Sequence, residues 1–361
     1  MKKITIKEYY TFIALIIIMI GMSICNSSFL NSENLSNLAK QVTINGILSL
    51  GMTLVILTGG IDLSIGSIVA FSGMIVGILQ VKLGWSNSEN FGLSLLTCLT
   101  ALLGGSVLGL INGLFISLTK IPPFIITLGM MQIARGFSQI FLHSTSLSPM
   151  NESIKNLSKG VIDLQLSWVI FGIIFLFFLY QLFKNRKFTN FFFKNAVLSF
   201  IAYAFLSHRG IPVPIIFLVF SFVCLQFILE RIPMGRYIYA LGGNEQASLL
   251  SGLPVKRVKL FVYFIMGLLS GLAGILLTAR INSADPNAGL SFELDAIAAV
   301  VIGGTSLTGG RGSLLGTLVG AMIISTINNG MSLMGVDSIY QMVIKGIILI
   351  AAVWLDSRSN K

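Results

Sequence analysis

The chain has 361 residues, 55% of them hydrophobic and only 10% charged, with a mean hydropathy of +0.89. Soluble domains carry about 25% charged residues, so this composition excludes a water-soluble enzyme, a disordered chain and a disulfide-framed secreted domain. Its 24 Lys and Arg against 13 Asp and Glu leave a formal charge of +11, but the basic residues are scattered between apolar runs and form no stripe for nucleic acid. An integral membrane protein with many spans remains. Cys25, Cys98 and Cys224 are odd in number and widely spaced. They read as small buried apolar residues, not as a disulfide framework or metal pair.

A helix needs about 20 mostly apolar residues to cross a bilayer. Lys2, Lys3 and Lys7 precede the first apolar run, and no convincing cleavage site follows it. This predicts an uncleaved first span at 10–29 with a cytoplasmic N-terminus. Further spans are predicted at 41–58, 64–82, 93–118, 123–142, 168–183, 194–207, 211–229, 260–280, 295–305, 313–332 and 340–355, twelve in all. Those at 194–207 and 295–305 are short. The second runs into a Gly-rich turn and reads as a half-helix, tolerated at membrane depth only inside protein or beside a water-filled cavity. With twelve crossings and both termini cytoplasmic, 16 of the 24 basic residues fall inside, 6 outside and 2 within spans, as the positive-inside rule requires.

Two Gly-rich turns, GGIDLSIGS (59–67) and GGTSLTGGRGS (303–313), each follow an apolar run directed inward and precede one directed outward. Paired broken helices of this kind often surround a transport pathway, so a parallel internal repeat is expected. Neither turn is a phosphate-binding loop, because GxxxxGK[ST] is absent from the chain. His143 and His208 stand alone near span ends, no metal-ligand spacing occurs, and no Ser has a paired His, so no catalytic residue or metal site is expected. Charges within or at the edges of spans are costly and often functional. Asp62, Arg135, Arg280, Glu293, Asp295 and Lys345 are such charges, read either as pathway lining and gating pairs or as structural pairing and snorkelling. Asn112, Asn328 and Asn329 suit hydrogen bonds between helices. The candidates nominated for pathway or gating are Asp62, Ser64, Arg280, Glu293, Asp295 and Asn328.

The main cytoplasmic loop is 231–259. Gly242 and Gly243 interrupt it, Asn244 is placed to cap a short helix with Glu245 in its first turn, and Gly252 with Pro254 ends that helix. Ala247, Leu249 and Leu250 give it an apolar patch suited to docking a soluble partner or to lying on the membrane surface.

Several long stretches resemble the membrane permease subunits of bacterial ABC sugar importers of the ribose, galactose and xylose type. They are GGIDLSIGS (59–67), INGLFI (111–116), PPFIITLGMM (122–131), MGRYIYALGGNEQASLLSG (234–252), ELDAIAAVVIGGTSLTGGRGSLLGTLVGA (293–321), NNGMSLMGV (328–336) and IKGIILIAAVWLD (344–356). The likeness runs most of all to the xylose type, through the extra hydrophobic pair around 168–207 and HRGIPVP (208–214). It implies an all-α, polytopic membrane bundle: a ten-span core plus that pair, about twelve spans, as one transmembrane domain. It implies a homodimer in the cell inner membrane with an ATP-binding-cassette ATPase inside and a periplasmic or lipid-anchored sugar-binding protein outside. Bound cofactor and nucleic acid are not expected, and the cargo is a monosaccharide, D-xylose by this likeness. The stretch 244–252 then becomes the ATPase-coupling helix, with Asn244, Glu245, Ala247, Ser251 and Gly252 as its nominated residues.

Overall fold

The computed structural model describes residues 6–88, 90–185, 202, 205–206 and 210–359. Over these it is a bundle of 14 α-helices, with only isolated β-bridges in the loops. In chain order, α1 (Ile6–Cys25), α2 (Ser32–Leu57) and α3 (Ile65–Gly77), which continues as a π-helical turn over Ile78–Lys82, lead into α4 (Phe91–Leu118) and α5 (Pro123–Leu142). A short α6 (Glu152–Lys159) precedes α7 (Leu164–Asn185). Then come α8 (Pro214–Arg231), α9 (Pro233–Gly243), α10 (Glu245–Leu250) and α11 (Val255–Ile281). The chain ends through α12 (Phe292–Ile302), α13 (Leu314–Leu333) and α14 (Ser338–Ser359).

Among the described residues, seven helices are long and apolar enough to cross a membrane: α2, α3 with its π turn, α4, α5, α8, α11 and α13. Three shorter apolar stretches, Thr11–Cys25, Leu164–Leu176 and Ser338–Trp354, lie in α1, α7 and α14. The expected class, a polytopic helical membrane protein, is what the chain forms. The expected half-helix is α12, whose 11 residues span about 16 Å at 1.5 Å each, half a hydrocarbon core of about 30 Å. The predicted span at 194–207 lies outside the described residues. Ile162 N donates to Ile211 O (2.8 Å) and Val213 N to Gly160 O (3.0 Å), so α8 begins beside the start of α7.

Local chemistry explains the helix starts. Pro123, Pro214 and Pro233 open α5, α8 and α9, where a missing N–H is no loss and φ is already helical. Asn90, Asn151, Asn244 and Ser313 cap α4, α6, α10 and α13 with side-chain oxygens. Hydropathy placed the second span at 41–58, but α2 begins at Ser32. Its first turns are polar yet buried, because Asn34 and Asn329 exchange two amide hydrogen bonds of 3.0 Å between α2 and α13. Further along the same pair, Asn45 Nδ2 donates to Ser325 Oγ (3.1 Å) and the Thr53 and Thr317 hydroxyls meet at 2.7 Å. The segment between the predicted spans at 123–142 and 168–183 contains α6, fixed by the Asn151 cap and the buried Ile154.

The core is built on α2 and α11. Leu48, Leu50, Leu54, Val262 and Met266 are fully buried, and α11 packs most closely on α4. A Cβ at Gly109 of α4 would lie 2.4 Å from Tyr263 O, and one at Gly267 would lie 2.4 Å from Gly105 O. The two backbones touch through glycines spaced four apart on each helix, the close packing that membrane helices use. Leu99, Leu103 and Val107 of α4 and Phe220, Val223 and Phe227 of α8 remain exposed, as hydrocarbon-facing side chains would be. Cys98 and Cys224 are half-buried, while Cys25, expected to be buried, is exposed at the end of α1.

Candidate functional site: a glycine junction and an intramembrane polar cavity

Both Gly-rich turns begin as the same helix stop. At the end of α2, Gly59 is left-handed (φ 78°), Gly59 N donates to Ile56 O (2.9 Å) and Gly60 N to Val55 O (3.1 Å). At the end of α12, Gly304 is left-handed (φ 86°), Gly304 N donates to Val301 O (2.9 Å) and Thr305 N to Val300 O (3.1 Å). Each is a Schellman stop, and left-handed backbone explains a glycine at that place. The stops leave other terminal carbonyls to be met from outside the helix. Leu57 O accepts from Gly310 N (3.0 Å), so the second turn closes the end of α2. The two turns expected to be related therefore stand side by side at one end of the bundle.

The end of α9 is wedged between them. A Cβ at Gly242 would lie 1.7 Å from Leu57 O and 2.4 Å from Gly310 N, and one at Gly310 would lie 2.8 Å from Gly243 N. Tyr239 of α9 donates its hydroxyl to Gly312 O (3.1 Å). Burial pushes the Tyr239 hydroxyl above its ordinary pKa, which keeps its proton for that bond. Beyond Gly243 the chain forms α10 as read from sequence. Asn244 Oδ1 accepts from Ala247 N (2.9 Å), Lys259 Nζ pairs with Glu245 (2.6 Å), and Ser251 Oγ donates to Ala247 O (2.7 Å). Gly252 is left-handed (φ 77°) and takes the chain off the helix. Leu250 is 88% exposed and Leu249 65%, an apolar tip at the end of the bundle that carries the two turns.

Arg280, Asp295 and Asn328, nominated separately from sequence, converge. They line a cavity of about 210 Å³ between α2, α11, α12, α13 and α14. Asp295 Oδ2 accepts from Lys345 Nζ (2.8 Å) and from Asn328 Nδ2 (3.0 Å). Lys345 is thus an ion-pair partner and does not snorkel. Its isolation in QMVIKGIIL (341–349) marks it from sequence as a costly charge, though it is not among the six nominated pathway residues. Gln41 and Asn45, one helical turn apart on α2, also line the cavity and were passed over as ordinary polar residues.

The other three nominated residues lie elsewhere. Asp62 is fully buried in the break after α2, where its Oδ1 accepts from Ser64 N (2.9 Å) and Ser64 Oγ (2.6 Å). Asn112 Nδ2 of α4 donates to Ser64 Oγ (2.9 Å), and Leu63 N donates to Thr127 Oγ1 of α5 (3.2 Å). This group pins the first turn to α4 and α5 and does not line the cavity. Glu293 sits in the first turn of α12, where a Cβ on Gly66 would come within 2.7 Å of its Oε2. Arg135 Nη1 donates to Pro286 O (2.7 Å) and Ala288 O (2.8 Å), holding the loop before α12. Both acceptors are backbone carbonyls, which fits the structural reading of this residue.

A family described as the permease component of a branched-chain amino acid transport system matches residues 34–353. The ribose import permease of Bacillus subtilis is 42% identical over 97% of this chain and 92% of its own length. The ribose import permease of Escherichia coli (strain K12) is 36% identical over 99% of this chain and 96% of its own. The xylose transport system permease of the same strain is 34% identical over 100% of this chain and 94% of its own. The xylose type is therefore not singled out, because these ribose permeases share more of the sequence. No solved structure matches the chain.

Proposed function

Because this chain belongs to the permease family described as a branched-chain amino acid transport system permease component, we propose that it is the membrane subunit of an ATP-driven sugar importer. It passes a monosaccharide, delivered by a binding protein, across the bacterial inner membrane. The chain itself performs no covalent chemistry; ATP hydrolysis belongs to a separate ATPase subunit, and two copies of the chain enclose one pathway. The sugar we assign is a pentose. The likeness at 208–214 suits D-xylose, while the ribose permeases at 42% and 36% identity favour D-ribose.

The observation that carries this reading is the wedge of Gly242 between the two turns, with the apolar tip of α10 directly beyond it. The excess of basic residues near this end supports reading it as the cytoplasmic one. The ATPase engages Leu249 and Leu250, and its closure on ATP moves α10. Because α9 touches both turns, that movement reaches α2 and α12 together. Asp62 and Ser64 hold the first turn as a rigid unit, Glu293 anchors the start of α12, and Arg280, Asp295 and Asn328 line the sugar's path. Only contacts that differ between the outward and inward states supply driving energy.

The test is reconstitution of the chain with its ATPase and binding protein in vesicles supplied with radiolabelled D-ribose, D-xylose or D-galactose. ATP-dependent uptake of a pentose is expected. Uptake by the chain alone driven by an ion gradient, or ATP hydrolysis by the purified chain, would overturn the assignment.

A further inference from the structure

We propose that the cavity between α2, α11, α12, α13 and α14 is itself a monosaccharide-binding site, occupied in each cycle after the sugar leaves the binding protein. This rests on the importer reading and adds to it: the membrane subunit selects its cargo.

The argument is one of unspent hydrogen bonds. Among the described residues, the Arg280 guanidinium and the Gln41 side-chain amide have no hydrogen-bond partner, and Arg280 is in no ion pair. Asn45 uses only Nδ2, on Ser325, and leaves Oδ1 free. Asp295 uses only Oδ2, on Lys345 and Asn328, and leaves Oδ1 free. The four residues line one space, where their free donors and acceptors are met by no other side chain among the described residues and are open to a ligand. The set contains donors only (guanidinium), acceptors only (carboxylate and amide oxygens) and one amide with both. A ligand that satisfies all of them must donate and accept at several points, as the hydroxyls of a sugar do. Asp295 is already paired with Lys345, so among the described residues Arg280 is the cavity's one unpaired charge; a sugar hydroxyl accepts from it while other hydroxyls donate to the Asp295 and Asn45 oxygens. Phe292 and Ile44 complete the wall and offer an apolar face to the C–H side of the ring. The volume of about 210 Å³ equals about seven waters at roughly 30 Å³ each, which is room for a pentose.

The test uses the intact importer in vesicles, carrying Arg280→Met or Gln41→Leu. Gln41 is half-buried and bonded to nothing described, so its variant preserves the fold if Arg280→Met does not. Two quantities are read: ATPase stimulation by loaded binding protein, and sugar moved per ATP hydrolysed. We expect stimulation to persist while sugar per ATP falls about tenfold for Arg280→Met, the loss of one hydrogen bond to a charged group, and about fivefold for Gln41→Leu, the loss of one to a neutral amide. Sugar per ATP at the unmutated value in both variants would overturn the proposal. If the unmutated importer moves no sugar, the importer reading has failed and the cavity is judged separately. Titration of D-ribose and D-xylose into the purified chain in lipid nanodiscs then shows saturable binding weakened by Gln41→Leu. Absence of saturable binding there rejects the site.

Discussion

The glycine wedge makes a sharp prediction, because adjacent glycines should respond differently to the same methyl group. A Cβ at Gly242 would lie 1.7 Å from Leu57 O. Bringing that contact from 1.7 to even 3.0 Å requires the end of α9 or α2 to retreat by about 1.3 Å. Such a retreat opens the hydrogen bond of 3.0 Å from Gly310 N to Leu57 O. A buried carbonyl left unmet costs about 1–3 kcal/mol, and overpacking costs about 1–3 kcal/mol. The junction should therefore lose about 2–6 kcal/mol, more than about a twentyfold change in its equilibrium at about 1.4 kcal/mol per factor of ten. Gly243 is the control, since its Cβ meets nothing within 4 Å and its φ is not left-handed. In reconstituted importer, Gly242→Ala should still bind the ATPase but lower sugar uptake at least tenfold, while Gly243→Ala stays within about twofold of the unmutated protein. Equal uptake by the two variants would refute the claim that the wedge transmits movement.

Three further outcomes are expected. Leu250→Asp should leave thermal stability within about 0.5 kcal/mol, as exposed changes do, but weaken ATPase association by about thirtyfold, as loss of an interface hot spot does; undiminished association by titration calorimetry would remove α10 from the interface. Asp295→Asn, which leaves Lys345 unpaired, should destabilise the bundle by about 3–5 kcal/mol. Adding Lys345→Met should recover most of this, and additive losses in thermal inactivation would argue against a coupled pair. Asn244→Ala should loosen α10 by about 1 kcal/mol and Asn244→Asp should not, read as faster hydrogen exchange at the Ala247 amide in the first variant only.

Much of the architecture was legible before any coordinates. Apolar runs of bilayer length located most of the long helices because desolvation acts locally. The capped helix after Gly243 was legible for the same reason: Asn244, Glu245 and Gly252 lie within one short stretch. What hydropathy hid was polar burial. The start of α2 at Ser32 depends on Asn34 meeting Asn329, a partner almost the whole chain away. The six nominated pathway residues show the same limit. Each is a polar or charged residue in or beside an apolar segment, yet Asp62 and Ser64 close a turn while Arg280, Asp295 and Asn328 share a cavity.

The sequence by itself determined that this chain lives in a membrane, because 55% hydrophobic and 10% charged residues leave water no surface to hold. It also determined where the helices break, because glycine takes up the left-handed backbone at Gly59 and Gly304 without steric cost. Only the tertiary structure decided that the two breaks adjoin, that Gly242 sits between them, and that Asp295 finds Lys345. Those facts depend on which helices lie next to which, and a close backbone approach or an ion pair between distant segments leaves no local pattern to read.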